Sequence, residues 1–175
     1  MQHAEGGVTL IEACVVVVIC AVVAAAAVPS MRALMDRQTL RGSADELRTD
    51  LHYLRSASIS RGERLWLAVQ AGAEGSCYLI HTGHQGDCRC DASGQSTCND
   101  GAQALKAVGF KPTGRVQLQS TSAALAFEPA RGTVTPTATL KLVNTAGEAV
   151  HQVLNVMGRV RACSPGAKVP GYKAC

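Results

Sequence analysis

Between Val8 and Val28 the chain runs for 21 residues with a single charge, Glu12. As a helix rising about 1.5 Å per residue, that run reaches about 31 Å, the thickness of a bilayer's hydrocarbon core. No other stretch is long and apolar enough to do the same. The run opens behind Gly6-Gly7 and closes at Pro29, and the remainder of the chain is polar enough for one water-facing domain. A cleaved secretory signal has a basic start, a shorter apolar core and a small-residue cut site at its far end. Residues 1–7 contain no Lys or Arg, and the apolar core is too long. A plain anchor accounts for the length but not for Glu12. A carboxylate within a spanning helix costs about 2.5–3.5 kcal/mol on insertion scales, which calls for a partner or for a place at the headgroups.

The run Gly7-Val8-Thr9-Leu10-Ile11-Glu12, continued by an apolar helix and Pro29, resembles the class III signal of type IV pilins and pseudopilins. The resemblance implies cleavage by a prepilin peptidase between Gly7 and Val8, then N-methylation of Val8. It implies that Glu12 pairs, inside a fibre of packed helices, with the amine of a neighbouring pilin. It also implies a single pass through the inner membrane with the head in the periplasm, and a pilus or pseudopilus after assembly. The organisation expected is a leader at 1–7, a transmembrane helix at 8–29, a periplasmic continuation of that helix at 30–62 and a β-rich, disulfide-bearing head at 63–175.

Cysteine usage agrees with an exported head. Cys14 and Cys20 lie in the apolar run and act there as small apolar residues. The other six are Cys77, Cys88, Cys90, Cys98, Cys163 and Cys175, an even number of the kind that forms disulfides in an oxidising compartment. The bias of positive charge toward the cytoplasmic side points the other way, since Arg32, Arg37 and Arg41 come after the run and the leader has no cation. The cysteines and the processing signal outweigh it. Cys163 and Cys175 bracket a Gly- and Pro-rich tail and are expected to form one bridge. Cys77, Cys88, Cys90 and Cys98 are expected to form two more, in an order the spacing leaves open. His81 and His84 beside Cys88, Cys90 and Cys98 can be drawn as a zinc set, but the compact paired spacings of zinc fingers are absent. No metal or cofactor is expected.

Beyond Pro29, which is expected to bend the helix rather than end it, Leu40, Ala44, Leu47, Leu51 and Leu54 recur at steps of four and three and predict a helix with one buried stripe. Gly42 weakens its middle, and Ser43 with Glu46 has the pattern of a capping box that would start a fresh helix there. Gly62 is a stop. Short strands are predicted at 65–69, 77–81, 116–118, 125–128, 138–143 and 149–156, with a turn at 144–147. One long helix ahead of antiparallel strands makes the fold α+β. The passage from Leu47 to Val69 resembles the helix-to-first-strand segment of the GspH/FimT group of pseudopilins, which implies a type IV pilin-like head in which that helix packs on the sheet. The loop at 81–101 lies outside this resemblance.

Charge singles out the C-terminal half. Residues 101–175 hold nine basic and two acidic residues, a balance of +7, whereas residues 30–100 are nearly neutral. Such a bias favours a polyanionic partner. Within that half stands Gly158-Arg159-Val160-Arg161, ahead of Cys163. On a strand both arginines share one face, about 6.7 Å apart, and each guanidinium can fork onto a phosphate. Gly158 is expected to leave room for close approach. The motif resembles the C-terminal GRxR of FimT-type minor pilins, which implies binding of double-stranded DNA without sequence preference during natural transformation. Lys168, Lys173, Arg115 and Arg131 are further candidate phosphate contacts. Near the motif Tyr172 is the sole aromatic, which provides no stacking platform. The competing reading is a GspH-like pseudopilin, a structural subunit of a type II secretion machine that binds no nucleic acid. Neither a nucleophile elbow nor a phosphate-binding loop is present, so an enzyme is not expected.

Overall fold

The computed structural model describes residues 9–175. These fall into two compact units, one ending at Met35 and the other comprising Asp36–Cys175. One helix, α1 (Leu10–Arg61), contributes to both. It passes through position 29, and Gly42 and Ser43 do not interrupt it. The helix is continuous as expected, and the capping-box pattern at Ser43 starts nothing new, because the flanking Leu40, Ala44 and Leu47 are all fully buried and tertiary packing outweighs the local cost of a glycine. The helix ends where Gly62 adopts a φ of 66° and its N–H closes on the Ile59 carbonyl at 3.3 Å.

In the first unit the helical residues carry exposed Leu10, Ile11, Val15 to Ile19, Val22 and Val23, a surface with the length and hydropathy of a membrane span. Glu12 lies in the first helical turn, and its backbone N–H reaches the Thr9 hydroxyl at 3.4 Å. Gly7 and Val8 lie outside the described residues.

The second unit takes in 36–62 together with the head, so most of the expected helix continuation belongs to the head's own compact body. Its strands are β1 (Leu65–Gly72), β2 (Gly75–His81), β3 (Cys88–Cys90), β4 (Ser96–Cys98), β5 (Ala104–Phe110), β6 (Val116–Ser120), β7 (Ala124–Phe127), β8 (Val134–Thr135), β9 (Ala138–Asn144), β10 (Ala149–Leu154) and β11 (Val160–Cys163). They form a five-stranded sheet in the order β5-β2-β1-β7-β8, a four-stranded sheet β11-β10-β9-β6 and the small hairpin β3-β4. All pairings between these strands are antiparallel. β9 alternates buried and half-buried residues along its whole length, the signature of a strand with one face in the core. The turn to β10 is capped by Asn144, whose Oδ1 accepts the N–H groups of Ala146 and Glu148.

One core joins the helix stripe to both larger sheets: Leu40, Leu47, Leu51 and Leu54 pack in a cluster with Leu67, Ile80, Phe127, Leu140, Leu142 and Val150. Polar groups repeat the same connections. Tyr78 on β2 bonds Asp50 of the helix, and Gln152 on β10 donates to the Ala44 carbonyl at 2.9 Å.

Two disulfides organise the loop at 81–101. Cys88–Cys98 crosses the β3-β4 pair at directly opposed positions, and Cys77–Cys90 staples that hairpin to β2. The hairpin's connection crosses β5 at Gly109, where a Cβ would stand 2.4 Å from the Ala92 carbonyl oxygen and 2.4 Å from the Gly94 nitrogen. Only glycine permits that approach. The third bridge, Cys163–Cys175, closes the tail.

Candidate functional site

A concentration of positive charge among the described residues is built from three separated segments. The first is the entry to β11. Asn155 to Gly158 form a tight turn in which the Gly158 N–H bonds the Asn155 carbonyl at 2.9 Å, and Asn155 Oδ1 accepts the Arg159 N–H at 2.9 Å. Gly158 sits at φ 69°, and a Cβ there would meet the Gly132 carbonyl at 2.6 Å and Arg55 Nε at 3.2 Å. The room expected beside Gly158 for a ligand is therefore taken up by Gly132 and Arg55. Its role is to make the turn and point the chain into β11. Arg159 stands just before the strand and Arg161 on it, opposite Val153, and both are exposed.

The second segment is the tail. Ser164 acts as its hub: the Ser164 N–H bonds the Lys173 carbonyl at 2.9 Å, its Oγ accepts the Val169 N–H at 3.2 Å, and its carbonyl accepts the N–H groups of Ala167 and Cys175. Val169 is fully buried in the common core. With the Cys163–Cys175 bridge, these contacts bring Pro170 to Lys173 alongside Arg159 and Arg161.

The third is the helix. Arg41, Asp45 and Arg48 recur at steps of four and three, so they share one face. Arg41 donates through a terminal nitrogen to the Pro170 carbonyl, and the Tyr172 hydroxyl donates to Asp45 Oδ1 at 3.3 Å. Together the three segments line a groove of about 820 Å³. It carries five cations, Arg41, Arg48, Arg159, Arg161 and Lys173, against one carboxylate, Asp45. The side chains of Arg48, Arg159, Arg161 and Lys173 make no hydrogen bond or ion pair among the described residues. Four unneutralised cations around one concavity are a charge arrangement able to accept an anion.

The other cations proposed from sequence lie apart from this lining. Lys168 is exposed, and its charge helps hold the Glu148 carboxyl low. Arg115 is paired with Asp36 at 3.0 Å. Arg131 is exposed outside the groove. Sequence reasoning misses the helix arginines, although Arg41, Asp45 and Arg48 each come directly after a residue of the buried stripe and so had to lie beside it.

Metal chemistry finds no support in the loop cysteines, whose sulfurs are consumed by the Cys88–Cys98 and Cys77–Cys90 bridges. His81 is fully buried with Nδ1 on the Thr82 carbonyl, and His84 faces Asp87. Among the described residues His151, Cys163 and Cys175 alone have metal-ligand spacing, and a disulfide consumes both sulfurs.

Comparison with known proteins bears on most of the head. The family described as "Type II transport protein GspH" matches residues 43–158, a stretch that stops just before Arg159 and Arg161. The structure of the minor pseudopilin EpsH from the type 2 secretion system of Vibrio cholerae is similar, with a TM-score of 0.51 and 16% identity, over 73% of this chain and 98% of that one. The type IV minor pilin FimU of Pseudomonas aeruginosa is similar in two crystal forms. Their TM-scores are 0.55 and 0.53 at 19% and 20% identity, covering 78% and 76% of this chain and 96% and 98% of the FimU chains. These likenesses show the fold, an apolar N-terminal helix with an antiparallel-sheet head. No curated protein matches the chain.

Proposed function

The chain belongs to the GspH family of type II transport proteins; we propose that it is a minor pilin that assembles through its N-terminal helix and binds DNA, for uptake in natural transformation, with its head. A prepilin peptidase removes residues 1–7 and methylates Val8. The helix then holds the protein in the inner membrane with the head in the periplasm, an arrangement supported by the apolar span and the three bridges. On entry into the fibre Glu12 gains a partner, the terminal amine of a neighbouring pilin, which offsets the cost of its charge in lipid.

The observation that carries DNA binding is the groove's charge: five cations to one carboxylate, four of the cations without a protein partner among the described residues. Phosphate contacts of this kind dominate affinity for duplex DNA, are indifferent to sequence and weaken steeply with salt. Arg159 and Arg161 offer planar forks that match phosphate oxygens. The test is anisotropy of a labelled random-sequence duplex with the full chain in non-ionic detergent. Micromolar binding that collapses as salt rises from about 50 to 200 mM, and that is lost on replacing both arginines with glutamine, supports the reading.

A second reading is favoured by the description of the matching family and by the EpsH fold: a structural pseudopilin of a type II secretion machine. Absence of DNA binding by the parent at low salt would select it.

A further inference from the structure

The helix wall of the groove has no part in the motif that suggested nucleic acid, yet it carries two of the five cations and the one carboxylate. Resting on the DNA reading, we infer that the phosphate site is two-walled: Arg48 on the helix holds the backbone from the side opposite Arg159 and Arg161, while Asp45 keeps the affinity low.

The bland alternative for Arg48 is an ion pair with Asp45 three residues earlier, a common arrangement on an exposed helix face. That pair is not made. The Asp45 carboxylate is taken by the Tyr172 hydroxyl at 3.3 Å, and Arg48 is exposed with no hydrogen bond or ion pair among the described residues. Arg41 is different. It is half-buried, its Nε is buried without a partner, and it is spent on the Pro170 carbonyl. Arg41 is thus a positioning residue that latches the tail to the helix, and Arg48 is the helix cation left for a ligand. A strand lying on β11 alone would meet Arg159 and Arg161. A strand seated in the groove meets Arg48 and Lys173 as well, and it also meets the charge of Asp45. Asp45 is the feature a purely attractive site would lack. It orients Tyr172, and it repels every phosphate that enters.

The test measures anisotropy of a labelled random duplex with the full chain in non-ionic detergent, across a salt series. Arg48→Gln weakens binding about eightfold at about 0.1 M salt and lowers the salt slope by about 0.9, the loss of one counterion-releasing contact. Asp45→Asn, which keeps an acceptor for Tyr172, tightens binding about two- to threefold, the Coulomb effect of one charge across a solvated groove. Arg89→Gln, on β3 and outside the lining, changes neither affinity nor slope by a comparable amount. Thermal melts establish that the variants are folded. Unchanged binding in both Arg48→Gln and Asp45→Asn, with loss in Arg159→Gln/Arg161→Gln, overturns the two-walled site and leaves the DNA reading intact. No binding by the parent overturns both.

Discussion

The Tyr78 hydroxyl donates to Asp50 Oδ2 at 2.6 Å, and Lys106 Nζ approaches the same carboxylate at 2.8 Å. Through these contacts one buried acid on the helix is tied to β2 and β5. Burial, and then the hydrogen bond to Asp50, push the Tyr78 phenol above its usual value, so it remains a donor. Asp50→Ala leaves the fully buried Tyr78 hydroxyl without an acceptor and is expected to cost about 1–3 kcal/mol in urea unfolding. Asp50→Asn retains an acceptor and costs less. Lys106 contributes little to the difference, because it is about a third exposed and keeps Glu46 at 3.0 Å.

Stability falls in two stages on acidification. His151 on β10 is held below its ordinary value of 6.5, first by burial and then by the charge of Lys141 opposite it on β9. The native state therefore keeps it neutral, the unfolded chain takes the proton first, and stability declines as pH drops below about 6.5 toward the native value. Glu148, Asp87 and Asp91 are held low in turn by the Arg37 hydrogen bond, the His84 N–H and the Ser93 hydroxyl. Their contribution is present above the ordinary carboxylate range and is lost as pH falls below it toward their lowered native values. Melting temperatures between pH 8 and pH 3 should show both stages, and His151→Gln should remove the first alone.

The tail depends on its bridge. Cys163 and Cys175 are 12 residues apart, and closing such a loop is worth about 3 kcal/mol in the chain-entropy model. Beyond the bridge, the tail is held chiefly by Val169, the Ser164 hydrogen bonds and the Arg41 latch. Cys163→Ser/Cys175→Ser is expected to open residues 164–175 to proteolysis while the sheets persist. It should also weaken the proposed DNA binding, because Lys173 loses its place. Limited proteolysis beside the anisotropy measurement reads both effects.

Processing is checked by mass. The mature protein should lack residues 1–7 and carry one methyl group on Val8. An intact Met1 is incompatible with the pilin assignment. Glu12→Val should enter membranes as well as the parent, since it removes a charge from the span, yet fail to appear in sheared fibres.

Local period makes part of the fold legible in the sequence. The stripe from Leu40 to Leu54, the β9-β10 hairpin with its Asn144 turn and the stop at Gly62 each declare themselves within a few residues. β5 does not, because Ala104-Leu-Lys-Ala-Val-Gly-Phe110 is rich in weak strand formers and is fixed by β2 on one side and the bridged hairpin above Gly109. The groove is illegible for a related reason. Arg41 and Lys173 lie 132 residues apart in the numbering, so no window contains the site. Arg115 carries the same charge as Arg161, and only the fold reveals that Asp36, distant in sequence, already occupies it.

Each groove residue on the helix stands directly after a fully buried one: Arg41 after Leu40, Asp45 after Ala44, Arg48 after Leu47. Those inward residues act as a vernier for the charges outside. A helix that slipped or rotated to relieve a cavity at Leu47 would carry Arg48 with it, away from Arg161. Core substitutions far from any ligand would then change affinity in proportion to how far they turn the helix. Selection for a tighter or looser grip could act through leucines as well as through arginines.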